Sequence, residues 1–311
     1  MVMSIFVITV CSIIFLALLT LMSIAIYISR MFIKQRINQE QRESLDFGIS
    51  SERVTIKTDD KINLAAWRTK SSKAGTKGTI VIISGMENPS VTQYFGFAKM
   101  FADNGWDSLL IEMRCRGLSE GKSTGIGMTE WLDVKAGVDF LSEDERAKAA
   151  PIVVMGTSMG GATVITAAGE VDRTNAVIAL SAFSSVVNML GDVLPRFGIP
   201  KFVATLLKPF VNMVLRFRLG FGTIKYTPIS GIKKLGKRPL LLMHSTEDDS
   251  VPYSQYIKLL TVAKQNNINV VEFERKGNHH FVFVSELESP TTDIEFCEVI
   301  NGFLETVSDC R

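Results

Sequence analysis

The stretch PIVVMGTSMGGATVITAAG, residues 151–169, restricts the fold more than any other segment. Ile152 to Met155 form a short apolar run rich in β-branched residues and read as a buried strand, while the small residues Ala162 to Ala168 suit a helix. Between them Gly156-Thr157-Ser158-Met159-Gly160 must turn sharply, and its glycines remove Cβ atoms where strand and helix come close. A serine at such a turn stands exposed on strained backbone, which is the setting of a nucleophile. Two overlapping Gly-x-Ser-x-Gly pentapeptides around Ser119 and Ser123 lack a following apolar run and read as surface loop. The same loop, RCRGLSEGKSTGIG, is close to a phosphate loop. However, three residues rather than four separate Gly117 from Gly121, and no long apolar helix follows Ser123, which argues against nucleotide binding.

Apolar runs and helical patterns alternate along the chain from about residue 49, the sign of a mostly parallel sheet with helices on both faces. Strands are expected near Arg53–Lys57, Ile62–Arg68, Thr79–Ile83, Ser108–Glu112, Ile152–Met155, Ala176–Leu180, Pro239–His244 and Val270–Glu274. Helices are expected over Gln93–Asn104, Glu130–Leu141, Met159–Ala168, Ser254–Gln265 and Asp293–Val307. A chain of 311 residues that is 46% hydrophobic can bury a full core, and one α/β domain of about 250 residues is ordinary.

If Ser158 is a nucleophile it needs a base and a carboxylate to orient that base, each carried on a loop after a later strand. LLLMHSTEDDSVPY offers Asp248 and Asp249, and both qualify by position. Three histidines exist, His244, His279 and His280. His244 precedes the acid and ends a buried strand, so it reads as structural. KGNHHF follows the last strand, and of its pair His280 is favoured over His279 as the base. Adjacent histidines point apart and no ligand spacing such as H-E-x-x-H occurs, so neither a metal nor another cofactor is expected.

The N-terminus carries a different signal. No charged side chain occurs from Met1 to Ser29, and the apolar part could extend about 39 Å as a helix, more than a hydrocarbon core of about 30 Å. It is longer than the apolar region of a cleaved signal and has no basic start, so a retained anchor over 1–30 is expected, followed by a polar tether over 31–48 and a catalytic domain over 49–311. Arg30, Lys34 and Arg36 follow the span, which by the positive-inside bias places the domain on the cytoplasmic side. The four cysteines give no disulfide framework, as suits a reducing compartment.

Residues 184–238 are too long for a simple crossover and are expected to form a helical cap. They hold ten basic residues against Asp192 alone, a net +9, interleaved with Phe197, Phe202, Leu206, Leu207, Phe210, Met213, Val214, Phe217, Leu219 and Phe221. This reads as an amphipathic cover with its apolar residues on the core, in a composition that also suits an anionic membrane surface or acyl chains. Its apolar content argues against nucleic acid as a partner.

With the elbow, the acid loop and the base loop identified, the chain from about Glu52 to Thr306 resembles the α/β-hydrolase superfamily, and within it the bacterial membrane-anchored serine esterases and serine aminopeptidase-like hydrolases. The resemblance implies an α/β-hydrolase fold with an eight-stranded, mostly parallel sheet and a helical cap. Its His-Gly-x-x-Asp pattern selects Asp248 and its Gly-x-x-His pattern selects His280. It also makes Glu112-Met-Arg114-Cys-Arg-Gly117-Leu-Ser119-Glu-Gly121 a scaffold loop after the fourth strand, and it gives the oxyanion hole to the backbone N–H groups of Met86 and Met159. Three positions depart from the pattern: Ser84 stands where His is usual, Ser245 where Gly is usual, and Glu112 where Asp is usual. The expected activity is cleavage of carboxylic esters through an acyl-enzyme, with an apolar acyl group and a small or lipid-like substrate. Thioesterase, peptidase and acyltransferase chemistry share the same residues, and a non-catalytic membrane scaffold is the reading of another class.

Overall fold

The computed structural model describes residues 2–33, 40–71, 73, 75–86, 90–280, 282–285 and 287–309. Lys34, Arg36, most of the expected tether before residue 40, Phe281 and Cys310 lie outside the described residues.

Eight strands form one sheet in the order β1-β2-β4-β3-β5-β6-β7-β8. They are β1 (Ser51–Lys57), β2 (Asn63–Thr69), β3 (Thr79–Ile83), β4 (Asp107–Ile111), β5 (Ile152–Thr157), β6 (Ala176–Leu180), β7 (Leu240–Ser245) and β8 (Val270–Arg275). β1 pairs antiparallel with β2, and β2 with β4, while every other pairing is parallel. The carboxyl ends of β3 and β5 to β8 therefore share one edge, where a parallel α/β sheet gathers its ligand-facing loops.

Side chains alternate across the strands with period two, and this splits the core into two layers. Ile80, Ile82, Val153, Met155, Ile178 and Leu241 face α2 (Phe95–Asp103) and the C-terminal helix over residues 294–309. Val81, Ile83, Val154, Val177, Ala179 and Leu242 face the opposite layer, built by α3 (Trp131–Ser142), α4 (Met159–Glu170) and the helix over 253–265. Strands buried on both faces need near-continuous apolar sequence, which is why the central strands stand out in the chain as runs.

The segment between β6 and β7 folds as the expected helical cap, with α5 (Val186–Val193), α6 (Lys201–Leu219) and α7 (Pro228–Ile232). Two features differ from the sequence reading. Residues 40–48 are not free tether: Gln41 Nε2 donates to Glu112 at 3.2 Å, the Arg42 amide donates to Thr92 Oγ1 at 2.8 Å, and Phe47 meets Phe95 ring to ring. The N-terminal helix α1 (Val2–Phe32) is also not the separate segment expected, because its last turns pack on α6, burying Ala25, Ile28 and Ser29. Local composition gave the polarity of the first segment and the length of the second, but a docking partner distant in sequence leaves no mark on either.

Candidate active site

Ser158 sits between β5 and α4 at φ 55° and ψ −118°, left-handed backbone that costs a non-glycine residue about 1–3 kcal/mol. Surrounding contacts enforce this. A Cβ on Gly156 would lie 2.4 Å from the Gly160 carbonyl carbon, and one on Gly160 would lie 2.5 Å from the Ser84 oxygen. The two glycines thus let helix α4 press against β5 and against the turn after β3. The Ser158 N–H donates to Leu180 O at 2.8 Å, and its side chain does not cap α4. A hydroxyl that a helix N-terminus would ordinarily recruit is instead left half-buried at the carboxyl edge of the sheet.

The other candidate residues converge on that edge. His280 Nδ1 lies 3.0 Å from Asp248 Oδ2 and 3.1 Å from Oδ1, and Asp248 is fully buried. Asp248 Oδ1 also accepts from the Ser250 and Val251 amides at 2.8 and 2.9 Å, so the carboxylate is fixed before the histidine reaches it. Backbone bonds between neighbouring loops bring the two together, with Thr246 N donating to Arg275 O and Glu247 N to Gly277 O.

The duplicated residues separate cleanly. Asp249 is exposed and exchanges two bonds with Asn278, one from its own N–H and one to its carboxylate, and the Asn278 bond leads the causes that hold its carboxyl below the ordinary range. It ties the acid loop to the base loop. His279 contributes its carbonyl, which accepts from Ser245 Oγ at 2.7 Å and from the Val282 amide at 2.8 Å. The departure at Ser245 therefore supplies a brace for the base loop that glycine could not. His244 is fully buried, Nε2 donates to Val251 O at 2.9 Å, and burial depresses its pKa, so it stands neutral 3.6 Å behind Asp248.

Met86 follows β3 and Met159 opens α4, and among the described residues neither backbone N–H donates a hydrogen bond. An arginine that the sequence reading passed over controls the first of them. Arg116 is fully buried, and its Nη1 donates to Gly85 O at 2.7 Å and to Met86 O. The Gly85–Met86 peptide is planar and trans, so holding its oxygen on one side aims the Met86 N–H to the other. Among the described residues the remaining Nε and Nη2 atoms have no hydrogen-bond partner, and burial lowers the Arg116 pKa, although a guanidinium stays charged. A charge buried at such cost marks a position where the turn must not move. Arg116 lies in the very loop that mimics a phosphate site, and the only signal available in the sequence was its position two residues beyond Arg114.

Glu112 shows what the second departure does. Its longer side chain accepts from Ser90 Oγ at 2.8 Å, from Gln41 and from the Val91 amide, tying the N-terminal segment to the strand β3 exit; burial pushes its carboxyl above the usual range. Ser84 is buried, and among the described residues its hydroxyl has no partner. Among the described residues no group of three His, Cys, Asp or Glu side chains is placed to hold a metal ion.

The cap is clamped over this edge from two sides. Arg196 donates to the Asp248 and Asp249 carbonyls, and Asp192 accepts from Ser254, Gln255 and Lys258. Burial works against ionisation of Asp192, but those donors outweigh it and leave the carboxyl below the ordinary range. Under the cap lies an apolar cavity of about 160 Å3, lined by Ile126, Met128, Phe183, Leu215, Tyr226 and Ala162, the last one turn along α4 from Ser158.

The chain is similar to several known proteins. Residues 74–228 match the family described as serine aminopeptidase, S33. The chain is 26% identical over 237 residues to the protein YqkD of Bacillus subtilis, covering 75% of this chain and 73% of that one. It is 24% identical over 245 residues to the membrane protein YNL320W of Saccharomyces cerevisiae, covering 77% of each. The solved esterase Pf2001 of Pyrococcus furiosus superposes with a TM-score of 0.65 at 21% identity, over 87% of this chain and 99% of that one. By its sheet, its strained serine elbow and these likenesses, the chain has the α/β-hydrolase fold, with residues 74–228 matching a serine aminopeptidase family of that fold.

Proposed function

We propose that this protein cleaves carboxylic esters through an acyl-enzyme. The observation that carries the reading is the placement, on loops at one sheet edge, of a hydroxyl on strained backbone and of a histidine held by a buried carboxylate. In this account Ser158 Oγ attacks the substrate carbonyl while His280 Nε2 accepts its proton, and Asp248 fixes the Nδ1–H tautomer and stabilises the imidazolium. The Met86 and Met159 amides receive the charge on the tetrahedral oxygen, where loss of one donor typically costs about a hundredfold or more. His280 returns the proton to the departing alcohol, and water, activated by the same base, releases the acid.

The cavity supports an apolar acyl group. At about 160 Å3 it falls below the roughly 300–1,000 Å3 that encloses a drug-sized ligand, so it takes one acyl segment and not a whole lipid. A p-nitrophenyl ester series assayed with full-length protein in detergent tests this: kcat/KM should peak at a short to medium chain and fall once the chain outgrows the cavity. A flat profile, or turnover confined to aminoacyl amides as the family description allows, would overturn the ester assignment.

Arg116→Met should lower kcat by roughly tenfold to a hundredfold through a misaimed Met86 amide, with KM little changed. A rise in KM with kcat intact would show that Arg116 does not position a transition-state donor. The substitution retains bulk and removes a buried charge, and a thermal melt separates misfolding from misalignment.

The apolar N-terminal helix passes the length and composition test for a membrane span. We read it as a single-pass anchor, with Arg30, Lys34 and Arg36 placing the catalytic domain on the cytoplasmic side.

A further inference from the structure

Helix α6 carries a second apolar face that the core does not use. Ala204, Leu207, Val211, Val214 and Leu215 form its buried stripe. On the opposite side Phe202, Leu206, Pro209, Met213 and Phe217 recur at spacings of four, three, four and four, one continuous helical face, and all five are exposed. Phe197 before the helix and Phe221 after it are exposed too. An ordinary amphipathic cover would turn polar residues outward here, so the stripe calls for an apolar partner.

The placement of α1 says which partner. Its seam along Leu21, Met22, Ala25, Ile28, Ser29 and Phe32 seats on the cap, whereas residues 3–20 stand exposed. The exposed part, residues 3–20, is about 27 Å long at 1.5 Å per residue, close to the roughly 30 Å of a hydrocarbon core. A bilayer crossed by that segment ends near the level at which α1 meets α6. Lys201 and Arg216 border the apolar stripe and Arg218 lies beyond it; all three are exposed, and none has an ion-pair partner among the described residues. Two other cap cations are engaged, Arg196 with the acid loop and Lys234 with Glu170. Apolar side chains flanked by exposed cations suit anionic lipid headgroups.

We propose that the outward face of α6 is a membrane-contact surface, with the stripe from Phe202 to Phe217 sunk into the headgroup region of the bilayer that α1 crosses. α6 also lines the apolar cavity through Asn212 and Leu215, so this contact sets the acyl pocket against the lipid surface and favours esters that reside in it. The proposal rests on α1 being inserted, and its test is independent of catalysis.

Full-length protein carrying Leu206→Trp, Phe217→Trp or Phe15→Trp would be reconstituted into vesicles of phosphatidylglycerol and phosphatidylcholine with brominated or unbrominated chains. Emission of the native Trp67, Trp106 and Trp131 would be subtracted using the parent protein. A side chain sunk about 5–10 Å should lose roughly half of its added emission to bromine, so strong quenching at Leu206→Trp and Phe217→Trp, alongside Phe15→Trp, is the result expected. Ile257→Trp, on the exposed surface of the helix over 253–265, should remain unquenched. Quenching at Phe15→Trp without quenching on α6 would overturn the proposal and leave the anchor intact, including the case in which a second copy of the chain shields the stripe. No quenching at any of the three would overturn both.

Discussion

Replacing His280 with alanine should slow ester turnover by roughly 10^5 to 10^6, because a serine–histidine pair acts as a unit and losing either member costs about as much as losing both. The ring makes a bond that orients it, from Nδ1 to Asp248, and no neighbour can substitute as base. His244 is buried behind the carboxylate with Nε2 committed to Val251, and His279 serves the loop through its carbonyl. His279→Ala keeps that carbonyl and should retain most activity. The check is single-turnover acylation by a p-nitrophenyl ester, with thermal melts confirming that both variants fold. If His279→Ala proved the crippled variant in folded protein, the base would be misassigned although the serine-hydrolase reading would survive.

Asp248→Asn should lower the chemical step by about 10^4. The Asn side chain can still accept from the Ser250 and Val251 amides through its oxygen, which turns its NH2 toward His280 Nδ1. That donor favours the tautomer protonated on Nε2, which cannot take the proton from Ser158. The fold should persist because the loop's backbone bonds to Arg275 and Gly277 are untouched. Asp249→Asn should cost less than about tenfold, since the exposed Asp249 touches only the loop residues Asn278 and Ser250 among its described side-chain partners. Equal losses in the two variants, measured as kcat at saturating ester, would remove Asp248 from its special place.

Much of this arrangement was legible in the sequence for a physical reason. A parallel sheet buried on both faces writes its central strands as apolar runs, so β3, β5, β6 and β7 were placed to within a residue or two. The elbow was legible because two backbone contacts near 2.5 Å admit no side chain at Gly156 and Gly160. The choice between Asp248 and Asp249 was not, since adjacent residues of one type differ only in which way the loop points them; the resemblance to a family supplied that choice. Arg116, Arg196 and the docking of α1 on α6 were missed for a related cause. Each depends on a partner between 30 and about 190 residues away, and a buried arginine looks in sequence like any surface one. The cap's outward aromatics were counted with the core because composition reveals that a helix is amphipathic, not that it has two apolar faces.

The most direct measurement of the central claim is labelling of full-length protein in detergent with a fluorophosphonate, followed by intact mass and peptide mapping. One label per chain on Ser158 is the result expected, lost in Ser158→Ala and slowed in His280→Ala. Label on Ser119 or Ser123, or none on a folded sample, would contradict it.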